Sequence, residues 1–285
     1  NIETVSISDD TEISSAMFAN ENTFELIGTD ADKTLTVVGG NGGDTIDLSK
    51  VTFDINQQAS IALTAGTGDD VLTGSTRTNS IDGGAGHDTI TGGDQANTLL
   101  GSAGNDVITG GAADDQITGG ADNDTLTGGA GADTFTFTAV VGNDIDTITD
   151  FQTGTTDDII NVKLLGAGAI TAAINVAAGS TVADASDAQT AYVFADGATA
   201  TGGETIDDYT DLDDVLDFLN AALTIEAGDK DGVAIINDLA NDKVYIYNMD
   251  TLADDDTDIE SLVLVGVIDL ADADTPLAAS HVSFA

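Results

Sequence analysis

Residues 65–136 repeat with a period of nine and no break. The eight units read AGTGDDVLT, GSTRTNSID, GGAGHDTIT, GGDQANTLL, GSAGNDVIT, GGAADDQIT, GGADNDTLT and GGAGADTFT, starting at residues 65, 74, 83, 92, 101, 110, 119 and 128. A fixed short period limits the fold more than composition does, because a unit this small has to stack on its neighbours to bury anything. The sixth position is always Asp or Asn. The eighth is always apolar: Leu72, Ile81, Ile90, Leu99, Ile108, Ile117, Leu126 and Phe135. Two units make one coil of turn, three-residue strand, turn and three-residue strand. The strands pair in parallel with the next coil, roughly 4.8 Å away, and the eighth positions stack inward.

One aliphatic side chain per nine ordered residues is little apolar burial to set against the backbone entropy lost. Stacking a carboxylate on every coil adds like-charge repulsion. The turns therefore call for a cation, and a set of carboxylate and backbone carbonyl oxygens suits Ca²⁺, which takes six to eight oxygens in flexible geometry.

The units match GGxGxDxUx, and on those residues the array resembles the RTX (repeats-in-toxin) calcium-binding proteins. The resemblance implies a parallel β-roll with several Ca²⁺ ions between coils. Each ion would lie between one turn and the turn 18 residues later. The first turn would give the carbonyls of positions two and four and the carboxylate of position six. The second would give the carbonyls of positions one and three and its own sixth-position carboxylate. Carried over residue by residue, Gly66, Gly68 and Asp70 pair with Gly83, Ala85 and Asp88; Gly84, Gly86 and Asp88 with Gly101, Ala103 and Asp106; Ser102, Gly104 and Asp106 with Gly119, Ala121 and Asp124. On the opposite edge, Gly111, Ala113 and Asp115 pair with Gly128, Ala130 and Asp133. Asn79 with Asn97 supplies no carboxylate, and Arg77 sits in that turn, so this corner is expected to be metal-free or weak.

The chain has 285 residues with Lys+Arg 6 and Asp+Glu 51, a net charge of −45. That balance argues against nucleic acid, which needs a basic footprint, and against electrostatic docking on anionic membranes. Cysteine is absent, so a secreted chain of this kind needs metal or assembly in place of disulfides. No apolar run is long enough for a membrane span. The chain starts at Asn1 rather than Met, as expected of a processed product or a fragment of a longer protein.

Residues 1–64 alternate in short Thr/Ile/Val runs and read as an irregular β-solenoid lead-in. Within them, GGNGGDTID at 39–47 is a ninth copy of the unit, out of phase with the rest. The opening NIETVSIS resembles segments that precede RTX arrays in bacterial surface-layer (S-layer) proteins. Residues 65–136 are the roll, and 137–166, with Phe137, the run DTITDF and Asp158-Ile159-Ile160, resemble the element that closes the roll in RTX proteases and type I-secreted proteins. Residues 167–285 read as a β-rich C-terminal domain with strands at 191–194, VAIIND, KVYIYNM, ESLVLVGVID containing an LVGV turn, and HVSFA. One helix is expected over 211–223, capped by Thr210, with Leu212, Val215, Leu216, Leu219 and Leu223 on one face. The layout resembles the C-terminal region of RTX surface proteins, which implies an export signal near the end of the chain. The fold expected is all-β: a parallel β-roll or β-solenoid followed by that domain.

Further acidic groups could be cation sites by composition. Asp144, Asp146 and Asp157 read as solvated turn carboxylates. Asp229-Lys230-Asp231-Gly232 and Asp254 to Asp258 lack the ligand spacing of an EF-hand. For catalysis there is no HExxH, GxSxG or P-loop motif and no cysteine nucleophile; the two histidines are His87, in a repeat turn, and His281. The chain is expected not to be an enzyme. Two functions remain. One is an extracellular structural protein, an S-layer subunit or its assembly region, that folds and assembles into a homo-oligomer or two-dimensional lattice on Ca²⁺ after passing the type I secretion machinery to the bacterial cell surface. The other is the folding and secretion module at the C-terminus of a larger adhesin or secreted hydrolase.

Overall fold

The structure is a computed structural model that describes residues 2–7, 11–14, 23–28, 34–49, 51–53, 60–138, 145–153, 158–163, 172–176, 182–183, 190–194, 206, 209–212, 215, 219, 223–224, 232–238, 241, 243–250, 261–270, 277–278 and 281–283. Two compact units divide the chain, Asn1–Thr136 and Phe137–Ala285.

Among the described residues of the first unit every strand pairing is parallel, and two ladders run along the coil stack. One ladder carries Thr45–Asp47, Val71–Thr73, Thr89–Gly93, Val107–Gly111 and Thr125–Gly129. The other carries Thr11–Ser14, Thr34–Val38, Ser60–Thr67, Asn79–Ala85, Thr98–Ala103, Gln116–Ala121 and the strand that starts at Thr134. Ile2–Ile7, Thr23–Gly28 and Thr52–Phe53 make a separate parallel sheet. Through the array the register advances two units per coil: Leu72, Ile90, Ile108 and Leu126 stand opposite one another on one ladder, and Ile81, Leu99, Ile117 and Phe135 on the other. All eight side chains are at most 1% exposed. The neighbouring seventh position faces out, as at Val71 and Val107, so the period of two along each strand puts one residue in and the next out.

In this unit two features differ from the sequence expectation. Strands were expected to span three residues, yet Asn79–Ala85 and Thr98–Ala103 carry the pairing on through the glycines. Gly66, Gly84 and Ser102 stay in the ladder at φ 114°, 102° and 84°, a region open to glycine and strained for Ser102. The Ser102 hydroxyl donates to Asp82 Oδ1 at 2.9 Å. Second, the copy at 39–47 is not out of register in space. Ile46 stands opposite Leu72, and Leu48, Val51, Ile61 and Leu63 are buried.

In the second unit, Ala172–Val176, Thr190–Phe194 and Gly232–Asp238 pair in parallel. Gly232–Asp238, Lys243–Asp250 and Ser261–Leu270 then form an antiparallel meander, and Ser261–Leu270 also pairs in parallel with Asp146–Phe151. The LVGV sequence is strand rather than turn, with a register irregularity at Val265, which is left over where Ile246 faces Gly266 and Tyr247 faces Leu264. Gly266 is needed there because a Cβ would strike the Phe137 ring. The expected helix is seen at Leu212, Val215 and Leu219, and the Val215 N–H donates to Asp211 O at 3.1 Å. Val215 and Leu219 are buried, whereas Leu212 is 39% exposed and Leu223 belongs to the strand Leu223–Thr224. The helical stripe is therefore narrower than the sequence suggested. Asn237 clamps Leu277 through both of its backbone groups, and the chain end is held by Val282–Ser283 pairing with Ile159–Lys163. Asp144, Asp157, Asp229 to Asp231 and Asp254 to Asp258 lie outside the described residues.

Candidate metal centre

The period of nine with a coil of two units places the sixth positions in two columns, one at each edge of the roll. Asp70, Asp88, Asp106 and Asp124 form the first; Asn79, Asn97, Asp115 and Asp133 form the second. All eight are at most 3% exposed. Along each column one side-chain oxygen accepts the backbone N–H of the residue 18 earlier. Asp88 Oδ1 takes the Asp70 N–H at 2.8 Å, Asp106 Oδ1 that of Asp88 at 2.7 Å, and Asp124 Oδ1 that of Asp106 at 2.8 Å. On the second edge Asn97 serves Asn79 at 3.0 Å, Asp115 serves Asn97 at 2.6 Å and Asp133 serves Asp115 at 2.8 Å.

The second oxygen of these carboxylates is the informative one. Oδ2 of Asp70, Asp88, Asp106 and Asp115 is buried without a hydrogen-bond partner. A buried carboxylate oxygen with nothing to accept from is costly and asks for a cation or a proton. Desolvation by burial pushes the Asp106 carboxyl up to about 7 and that of Asp115 to about 6, and raises Asp70 and Asp88 as well; neighbouring column carboxylates add to each shift.

The carbonyls expected as ligands lie beside these oxygens. The space that a Cβ on Gly110 would fill has Asp115 Oδ2 at 2.5 Å and Gly128 O at 2.6 Å; above Gly83 the same space adjoins Asp88 Oδ2 and, at 2.9 Å, Gly101 O. A carboxylate from one turn and the first-position carbonyl of the turn 18 residues on thus converge over a glycine that has no side chain to block them. The carbonyls of Gly66 and Gly68 press against Gly84 and Gly86, and those of Gly86 and Ser102 against Gly104 and Gly120. Ala85, Ala103 and Ala121 carbonyls accept the N–H groups of Gly68, Gly86 and Gly104 at 2.6, 2.8 and 3.1 Å, which leaves each a second lone pair. On the second edge, Gly111 O accepts the Ala130 N–H at 2.9 Å, and Ala113 backs onto Gly131.

No three His, Cys, Asp or Glu side chains converge among the described residues. Any ion here would draw most of its ligands from backbone carbonyls. An all-oxygen donor set fits Ca²⁺ and not the nitrogen and sulfur sites of zinc. The residues present fit the ion: paired turns would hold it, and its charge would match the buried Oδ2 atoms.

Sequence reasoning missed Asp44. Its N–H donates to Asp70 Oδ1 at 2.5 Å, and its own Oδ2 accepts the Gly40 N–H at 2.7 Å, so it heads the first column. The signal was the GGNGGD copy itself, hidden by the 26-residue step to the next unit of that ladder. Position five also has a role. Asp69 Oδ1 accepts the His87 N–H at 2.9 Å, His87 Nδ1 accepts the Asn105 N–H at 2.8 Å, and Asn105 Oδ1 accepts the Asn123 N–H at 3.2 Å.

Parallel coils with stacked acidic turns, glycine-cleared carbonyls and unsatisfied buried carboxylates define a calcium-binding β-roll. Residues 64–99 and 100–135 each match the family model of the RTX calcium-binding nonapeptide repeat (four copies). RTX nonapeptide repeats bind Ca²⁺ at multiple sites, and proteins that carry them are typically secreted and associated with type I secretion. No curated protein matches the chain. Among the described residues no helix is long and apolar enough to cross a membrane.

Proposed function

We propose that this chain is a calcium-dependent extracellular structural protein, an S-layer subunit or its assembly region. It stays unfolded where free Ca²⁺ is scarce, leaves the cell through a type I system, and folds and assembles at the cell surface. The observation that carries this reading is the buried Oδ2 atoms of Asp70, Asp88, Asp106 and Asp115, which have no hydrogen-bond partner. They make the roll dependent on a cation, and extracellular calcium modules bind with dissociation constants of about 10⁻⁴–10⁻³ M. Coupling of metal binding to folding then makes export and folding sequential. The ions are held by the oxygens assigned above, on Asp70, Asp88, Asp106 and Asp124 and on Asp115 and Asp133.

The chain is read as non-catalytic. Both histidines serve the backbone, His87 through Asn105 and His281 Nδ1 through the Ala278 N–H at 2.9 Å. Addition of Ca²⁺ to purified protein followed by electron microscopy is the test. Ordered two-dimensional sheets are expected. Monodisperse monomers that nonetheless fold on calcium would replace this reading with that of a folding and secretion module for a larger adhesin or hydrolase.

A further inference from the structure

The Asn79 corner is built differently from the acidic ones. Its Oδ1 accepts from the Ser75 N–H at 3.0 Å and from the Ser75 hydroxyl at 2.9 Å. A backbone N–H can only donate, so this contact fixes which end of the amide is oxygen and sends Nδ2 the other way. There Nδ2 meets four oxygens: Ser75 O at 3.2 Å, Arg77 O at 2.6 Å, Gly92 O at 3.2 Å and Asn97 Oδ1 at 2.9 Å. These are the second- and fourth-position carbonyls of one turn, and the first-position carbonyl and sixth-position side chain of the turn 18 residues on. They are the same roles that the acidic turns would offer to an ion. Nδ2 also takes the place of the carboxylate Oδ2. It lies 2.8 Å from the Cβ position of Gly74, as Asp115 Oδ2 lies 2.5 Å from that of Gly110.

We propose that the Asn79 amide replaces a calcium ion, so that this corner is a metal-independent clasp between the turns at 74–79 and 92–97. Two N–H groups shared among four oxygens supply the positive pole that a carboxylate lacks. Asn97 repeats part of the arrangement, with Nδ2 donating to Gln95 O and, at 3.0 Å, to Asp115 Oδ1. Ser75 and Asn79 are 2% and 1% exposed, so the clasp is shielded from water. In the folded roll it joins two adjacent coils without a bound ion and gives the acidic corners beside it a fixed step to build on. The inference rests on reading the acidic columns as calcium sites.

The test counts bound ions by native mass spectrometry of the full chain in Ca²⁺ and follows folding by circular dichroism during calcium titration. Asn79→Ala should bind as many ions as the wild type, with its calcium midpoint raised about twofold through the lost hydrogen bonds. The folded double variant Asn79→Asp/Asn97→Asp should bind at least one more ion than the wild type. An ion lost in Asn79→Ala would overturn the clasp, because Asn79 would then be ligating metal through Oδ1; no gain in the folded double variant would overturn it equally. If the double variant does not fold, the alanine result decides alone. A wild type that binds no ions at all would instead remove the reading of the acidic columns, and the clasp with it.

Discussion

Asp106 Oδ1 accepts the N–H of Asp88, 18 residues earlier, at 2.7 Å, while its Oδ2 is buried with no partner. One carboxylate thus has two tasks: it ties the coil before it, and it faces an interior that holds no donor. The proposed sites on either side share it. Asp106→Ala should remove both functions and raise the calcium midpoint by about tenfold, on the order of 1.4 kcal/mol or more. Asn79→Ala, at the corner without a carboxylate, should shift it far less. Circular dichroism during calcium titration makes the comparison, and equal midpoints would refute the assignment of residues to sites.

The raised carboxyls set the pH response of the calcium-free protein. A folded state that holds these protons more tightly than the unfolded chain loses stability as pH rises. The contribution is complete below the ordinary value of 3.8 and disappears as pH rises through about 6 for Asp115 and about 7 for Asp106. Calcium-stripped protein should therefore give an ordered β signal at pH 4 and lose it by pH 8. With calcium present the dependence inverts, since protons compete with the ion and apparent affinity should fall below about pH 7.

Glycine at position 110, the first of its unit, is a requirement of space. On Gly110 a Cβ would sit 2.5 Å from Asp115 Oδ2 and 2.6 Å from Gly128 O. Gly110→Ala should destabilise the calcium-bound protein by about 1–3 kcal/mol. Gly40→Ala meets nothing closer than Asp44 Oδ2 at 3.5 Å and should be tolerated. Urea denaturation in saturating calcium distinguishes the two.

Inside the roll, Ile108→Ala should lower stability by about 2–5 kcal/mol, as for a buried aliphatic residue with no room to collapse. Its neighbour Val107 is 47% exposed, and Val107→Thr should change stability by less than about 0.5 kcal/mol. The same denaturation experiment measures both.

The strict period made the coil legible in advance. Positions six and eight are a fixed distance apart in sequence, so columns of Asp70 to Asp124 and of Leu72 to Leu126 follow from the period alone. What broke the period was harder to read. Asp44 joins the first column over a step of 26 residues, and no pattern marks where an inserted segment rejoins its coil. The amide of Asn79 looked like the mere lack of a charge, because a sequence does not reveal which end of an amide faces four oxygens. At 211–223 helical spacing suggested a stripe that included Leu212 and Leu223. Tertiary packing left one exposed and drew the other into a strand. Strand lengths in the array were underestimated because glycine pairs read as turns, although Gly66 and Gly84 keep their place in the ladder.

The two edges of the roll alternate from one unit to the next, and this gives the array a parity. Duplicating 18 residues would lengthen it and leave every later residue on its own side. Duplicating nine would send all later units to the opposite side, setting Asp106 on the line of Asn79 and Asn97 and moving Asp115 to that of Asp70 and Asp88. Growth or loss of such an array by unequal recombination is therefore silent only in even steps.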